Sequence, residues 1–298
     1  MNIIEDLRKV VIDDIMALSS FQSVWSTWQG IIRPVMGSVP TAPSIIEIGN
    51  HLSDVFFSTN TGGRGQSDVS VGGTVWECLV TWYLNLCMAG TRAVAIKKMS
   101  QVPTPIKDAI TVSYSNFICS TESDITVVVF ADDPCFTQNN PALYTKRGKI
   151  DKSALDALVT THFRHFSVGV VQCKTNWNDN AQIPMLWDMV YSAGGFPGRN
   201  ISVGVNNFYI PTLRGFTYSF VTVPTNDLSE YNPASVPVSR VKNLSGGNYW
   251  GFPTRNAVAK NVKEIFRNYQ SGFTNNDIYQ SLSAVAGLLS TTYSYFNI

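Results

Sequence analysis

The chain has 298 residues, of which 44% are hydrophobic and only 14% charged, and its formal net charge is +1. That length can bury a sizeable core, and that balance excludes a disordered chain. A near-zero net charge also excludes a globally basic nucleic-acid binder, so any phosphate-bearing partner has to be met by a local cluster of Lys and Arg.

Residues 3–28 place Ile4, Leu7, Val11, Ile15 and Leu18 at helical spacing, with Glu5, Asp6, Arg8, Lys9, Asp13 and Asp14 between them, and predict one amphipathic helix. Pro34, Pro40 and Pro43 break the chain. A second helix is expected over Ser44–Phe57, with Ser44 as its cap and Glu47 three residues on. The Gly-rich run from Asn60 to Asp68 has neither the Walker nor the dinucleotide glycine pattern. It reads as a connection, or as an arm that meets a nucleic-acid backbone through Arg64. A helix then follows Gly72-Gly73 with Thr74 as cap, burying Val75, Leu79, Trp82 and Leu86 on one face. Glu77 is its one charge and falls in the first turn, where a carboxylate favours the helix dipole.

Strands are predicted at Ala93–Ile96, Ile110–Phe117, Asp124–Phe130 and Ser167–Lys174. Between the last two lie turn-rich residues, a basic patch and a helix from Ser153 to Phe163. His162 and His165 offer two metal ligands with no third partner visible in sequence, and so read as structural or surface residues. Residues two apart in a strand share a face, so Gln172 and Lys174 project together while Cys173 turns away. A helix over Ile183–Tyr191 and a strand over Ile201–Val205 complete a crossover, which implies a parallel strand pair. Leu213–Val223 is a further strand, and residues 278–293 are apolar at helical spacing. Between 236 and 268 the basic residues gather. Arg240, Lys242, Tyr249, Arg255 and Lys260 form a candidate DNA-facing surface, with a solvated helix face as the equal alternative.

The five cysteines (Cys78, Cys87, Cys119, Cys135 and Cys173) are odd in number and lack a C-x-x-C pair. With no signal peptide and no apolar run of membrane-spanning length, they fit a reducing, cytoplasmic setting with no membrane partner.

Ser123-Asp124 before one strand and Gln172-Cys173-Lys174 on the next resemble the PD-(D/E)xK nuclease family. Ser123 stands for the family's proline. Gln172 stands for its second carboxylate, as in the Mrr-like branch. The resemblance implies an α/β protein with a mixed central β-sheet flanked by helices, a restriction-endonuclease-like core. That core would occupy about residues 70–225 of a single domain, with helical elaborations over 1–58 and 255–298. It implies Mg²⁺ held by Asp124, by Glu77 and by the Cys173 carbonyl, with Gln172 and Lys174 completing the catalytic group. The expected activity is a type II site-specific cleavage of double-stranded DNA by a homodimer, with a cognate DNA methyltransferase as a further partner. The alternatives are a repair or recombination nuclease that reads DNA structure, and a non-enzymatic nucleic-acid-binding, capsid or scaffold protein.

Overall fold

Asn2 caps the first helix by accepting from the Glu5 backbone N–H at 3.0 Å, and Ile3, Ile4, Leu7, Val11, Ile12 and Ile15 form its buried stripe. This is α1 (Ile3–Met16), the first element of a computed structural model that describes residues 2–59, 66–120, 123–175, 183–223, 236 and 262–298. The single helix expected over 3–28 is two helices. Ile15 and Phe21 are six residues apart, which on one continuous helix would swing the second apolar stripe about 120° off the first. A break at Ala17-Leu18 re-aims it, and α2 (Ser19–Met36) buries Phe21, Trp25, Trp28, Ile32 and Met36.

α3 (Ala42–Phe57) is capped by Thr41, with Ser44 closing a capping box at the third helical position rather than serving as the cap. Pro43 near the helix start costs no hydrogen bond there, which moves the boundary upstream of the predicted one. α4 (Gln66–Cys87) runs straight through Gly72, Gly73 and Thr74, so Thr74 is not a cap. Two helical glycines cost about 1 kcal/mol each, and burial of Val75, Trp76, Leu79, Trp82 and Leu86 outweighs that.

The strands follow. β1 is Ala93–Ile96, then come α5 (Thr104–Ile110), β2 (Val112–Tyr114), β3 (Phe117–Cys119) and β4 (Ile125–Val129). α6 (Pro134–Thr137) and α7 (Lys152–His162) lead to β5 (Ser167–Lys174), and α8 (Ile183–Ala193) to β6 (Gly195–Phe196), β7 (Ile201–Val203) and β8 (Gly215–Thr222). The strand expected over 110–117 is thus the end of a helix and a hairpin. Pro105 starts that helix, and the chain reverses at Ser115, whose φ is +27°.

The central sheet has the order β1-β4-β5-β8, with β4 antiparallel to β1 and β5, and β8 parallel to β5. This is the mixed, helix-flanked α/β sheet expected from the sequence. The crossover after β5 returns to β8 and not to residues 201–205. β7 belongs to a second sheet of order β3-β2-β7-β6. The reason is local: Gly195, at φ +104°, lies so close to the Ile201 carbonyl that a Cβ would sit 2.3 Å from it, which seats β6 beside β7. The tail expected as one helix over 278–293 is α9 (Ile278–Ser283) followed by short 3-10 turns. Gly287 and the run Ser290-Thr291-Thr292 interrupt propagation, yet Leu282, Val285, Leu289 and Tyr293 remain buried. Among the described residues, no helix is long and apolar enough to cross a membrane.

β1 is an edge strand whose outward backbone groups are taken up by side chains. Asn85 on α4 accepts from the Ala95 N–H at 3.1 Å and donates to the Ala95 carbonyl at 2.7 Å. Arg8, fully buried on α1, donates to the carbonyls of Ala93 and Thr91 at 2.9 and 3.0 Å, and pairs through two nitrogens with Glu5 at 3.1 Å. These bonds close the edge against further strand pairing and fix α1 and α4 to the sheet.

Breaking one side of a buried pair strands the other charge, a loss of about 3–5 kcal/mol. Glu5→Ala is therefore expected to lower stability in urea unfolding by that amount. Lys9→Ala, which breaks the exposed pair with Asp13, is expected to change it by less than about 1 kcal/mol.

Candidate functional site

β4 ends its pairing with β5 at Ile125, which faces Val171, while β5 continues to Lys174 beside β8. Residues 172–174 of β5 therefore run past the start of β4 and leave a notch at this end of the sheet. Asp124 fills it. Its Oδ2 accepts from the Cys173 backbone N–H at 2.7 Å, replacing the strand partner that β4 does not supply. Ser123 fixes the entry to β4 by donating to the Ile125 carbonyl at 2.8 Å and lying 3.0 Å from the Thr126 hydroxyl.

The register sets which side chains share a face. Gln172 lies opposite Phe220 and Lys174 opposite Thr222, so both project on the Tyr218 side of the sheet, and Cys173 projects on the Gly169 side. Gln172 is buried, whereas Lys174 keeps partial exposure. The Cys173 thiol is buried as well, and burial first, then Asp124 and Glu77, pushes it well above the usual thiol range.

Glu77 sits eleven residues into α4, so the helix-dipole reading fails, because that field fades within the first turn. Its partner is Lys97, just past the end of β1, with Nζ 2.7 Å from Oε2. Burial alone would lower the Lys97 ammonium, but the hydrogen bond and charge of Glu77 overcome this and raise it. Asp124 is pushed up to about 6, chiefly by burial and next by the Glu77 charge, against the opposing pull of Lys174, the Cys173 N–H and Lys97. Glu77, Asp124, Lys97 and Lys174 thus form one interacting group at one end of the sheet.

Lys97 is a member that sequence reasoning passed over as the end of a strand, and its pairing with a helix residue twenty positions earlier left no local signal. Tyr218 is another. Its hydroxyl is buried without a hydrogen-bond partner among the described residues, and burial together with Asp188, Tyr191, Asp124 and Cys173 holds it well above the usual phenol range. The candidate DNA-facing residues Arg240, Lys242, Tyr249, Arg255 and Lys260 lie outside the described residues. Within the described part of that region, Lys263 pairs with Glu47 at 3.4 Å.

Asp124 and Glu77 are the residues here that could hold a hard divalent cation. Asp124 and Glu77 each bring a carboxylate with an oxygen beyond the bonds just given, and their mutual repulsion in a partly buried notch is what a cation relieves. Among the described residues, the group of three His, Cys or acidic side chains at metal-ligand spacing lies elsewhere, at Asp133, Cys135 and His162. The fold places beside His162 two further side chains of ligand type that the sequence did not reveal, Asp133 and Cys135, the latter 27 residues earlier in the chain.

A carboxyl raised to about 6 binds its proton in the folded chain while the unfolded chain has released it, so stability falls as pH rises from about 4 to 6 and stays lower above. The penalty above pH 6 is at most about 3 kcal/mol, and less to the extent that water still reaches the carboxylate. Asp124→Asn keeps an acceptor for Cys173 and removes the charge. Urea unfolding at pH 7.5 is expected to show the variant more stable by about 1–3 kcal/mol, with the gap closing near pH 4. A variant less stable at pH 7.5 would mean that the carboxylate serves only to close the strand end.

The chain matches no family model and no curated protein, so the chemistry of this sheet end is read from its own side chains.

Proposed function

We propose that the chain is a Mg²⁺-dependent endonuclease of the PD-(D/E)xK kind that hydrolyses phosphodiester bonds of double-stranded DNA. The observation that carries this reading is the electrostatic grouping of Asp124, Glu77 and Lys174 in the notch where β5 outruns β4. An acid at the start of one strand, an x-Lys pair on its antiparallel neighbour and a further acid on the preceding helix are the parts that the resemblance implies. Here Asp124 precedes β4, Lys174 ends its neighbour β5, and Glu77 stands on α4 and pairs with Lys97 just past β1.

Asp124 and Glu77 hold the cation through carboxylate oxygens, and the Cys173 carbonyl is the neutral donor in this reading. Bound there, Mg²⁺ supplies charge neutralisation at the phosphate and a more acidic water. Lys174, on the exposed margin of the notch, donates hydrogen bonds to the phosphate oxygens and orients the attacking water. Lys97 pairs with Glu77 and holds its carboxylate in place. Gln172 brings an amide where a second strand carboxylate would bring charge, which weakens the hold on the metal and favours one ion over two. Partial burial strengthens each of these electrostatic contacts relative to open water.

The finer reading is a type II enzyme working as a homodimer, two identical sites on antiparallel strands, with a methyltransferase protecting the host's copies of the target. A repair or recombination nuclease shares the chemistry and differs in what it reads on the DNA.

Supercoiled plasmid incubated with the full chain and Mg²⁺ is expected to be nicked or linearised, and EDTA to stop it. Asp124→Asn and Lys174→Ala are expected to lower the rate by about 10²–10³-fold or more, and Glu77→Gln by about 10–100-fold. Discrete fragments identify sequence reading, and a smear identifies a nuclease that reads structure. Cleavage by Lys174→Ala at the parental rate sinks the assignment.

A further inference from the structure

We infer that the chain carries a second metal site, for a zinc-class transition metal, at the end of the sheet opposite the Asp124 notch. Asp124 opens β4 and Lys174 closes β5. Asp133, Cys135 and His162 follow the exit from β4 and precede the entry to β5, one strand length away.

Their placement is built, not incidental to a loose surface. Asp133 caps α6, one carboxylate oxygen accepting from the Cys135 backbone N–H at 2.9 Å, while Oδ2 lies 3.9 Å from His162 Nδ1. Cys135 Sγ stands 3.9 Å from His162 Nε2. His162 ends α7, and its ring is pinned edge-on by Phe136 at 5.6 Å, a fully buried side chain wedged against Phe130 and Phe166. One ligand atom from each of the three residues lies within 4.8 Å of the others. Bond lengths of about 2.3 Å to sulfur and 2.0 Å to nitrogen, at tetrahedral angles, put ligand atoms about 3.5 Å apart. A contraction of at most about 1.3 Å closes the site.

Oδ1 of Asp133 is engaged by the Cys135 N–H, whereas the contacts that join His162 to the other two, 3.9 Å each, are too long for a tight ion pair or a strong hydrogen bond. Thiolate, imidazole and carboxylate together select zinc and its neighbours over magnesium. Three protein ligands leave a fourth position for water. His165 stands nearby, its ring centroid 6.5 Å from that of His162. On binding, the Cys135 S–H bond breaks, its proton goes to solvent, and the sulfur electron pair forms the metal bond as the metal releases a water. The result is a clip joining the start and end of the β4–β5 excursion. It stabilises the folded chain in proportion to free metal, because the unfolded chain does not assemble the ligands.

The test is Co²⁺ titration of the full chain, stripped with chelator, read by the near-ultraviolet sulfur-to-cobalt charge-transfer band, with Zn²⁺ competition and thermal unfolding alongside. Expected are a saturable band at one metal per chain, its loss to Zn²⁺, and a rise in Tm of a few degrees with Zn²⁺. Cys135→Ser and His162→Gln are expected to abolish the band, while Cys119→Ser and Asp124→Asn keep it. Circular dichroism verifies that each variant is folded, and His162→Gln decides alone should Cys135→Ser fail to fold. A folded parental chain with no band at excess Co²⁺, or a band unchanged in His162→Gln, overturns the site.

Discussion

The register of β4 against β5 is the constraint from which the rest follows. Ile125 faces Val171 and Val129 faces Ser167, so β4 covers only the first part of β5. A slip by one residue would reverse the face of every β4 side chain and bury Asp124's charge among the valines. The observed register leaves Cys173 with an N–H that no strand accepts, and the side chain one step before β4 supplies the acceptor. The same pairing aligns the exit of β4 with the entry of β5 at the other end, where Asp133 and His162 meet. One short antiparallel ladder thus positions polar chemistry at both of its ends and an apolar core between them.

That core is where the sequence was most legible. β4 is an unbroken run of β-branched residues, and the apolar runs of β5 (Val168, Val170, Val171) and β1 (Val94, Ile96) carry the same residues with Gly or Ala between them. Helix periodicity gave α1 and the buried face of α4 for the same reason: burial on one side leaves a repeat that the chain cannot hide. The acid at a strand start and the Gln-x-Lys strand end were also local patterns, and the fold brings them to adjacent strands.

What was illegible depended on residues distant in the chain. Gly72-Gly73 reads as a helix start, but a helix buried on nearly every side tolerates both glycines, so Glu77 lies mid-helix and meets Lys97 and not a dipole. The Ile201 strand looked like the return of a crossover because it is the next β-type run after a helix. A glycine contact with its backbone ties it to a different sheet. His162 seemed to lack ligands because Asp133 and Cys135 come from the other end of the β4–β5 excursion. These three failures are of partner, unlike the strand expected over 110–117, which failed in element type: periodicity reports which side is buried, never against what.

Charge bookkeeping joins these parts. Two acids and two lysines interact in the notch, and Asp124 is still displaced upward, so attraction from the lysines does not offset burial and Glu77. A group chosen for stability alone would have an amide or an apolar residue there, since a partly buried carboxylate beside another carboxylate is a net cost. The opposite solution appears at the β1 edge, where Arg8 and Glu5 are deeply buried yet bonded on several sides to each other and to backbone. The contrast is what favours the proposed cation site over a purely structural role: Glu5 and Arg8 bond each other and the backbone on several sides, whereas burial and Glu77 still displace Asp124 upward.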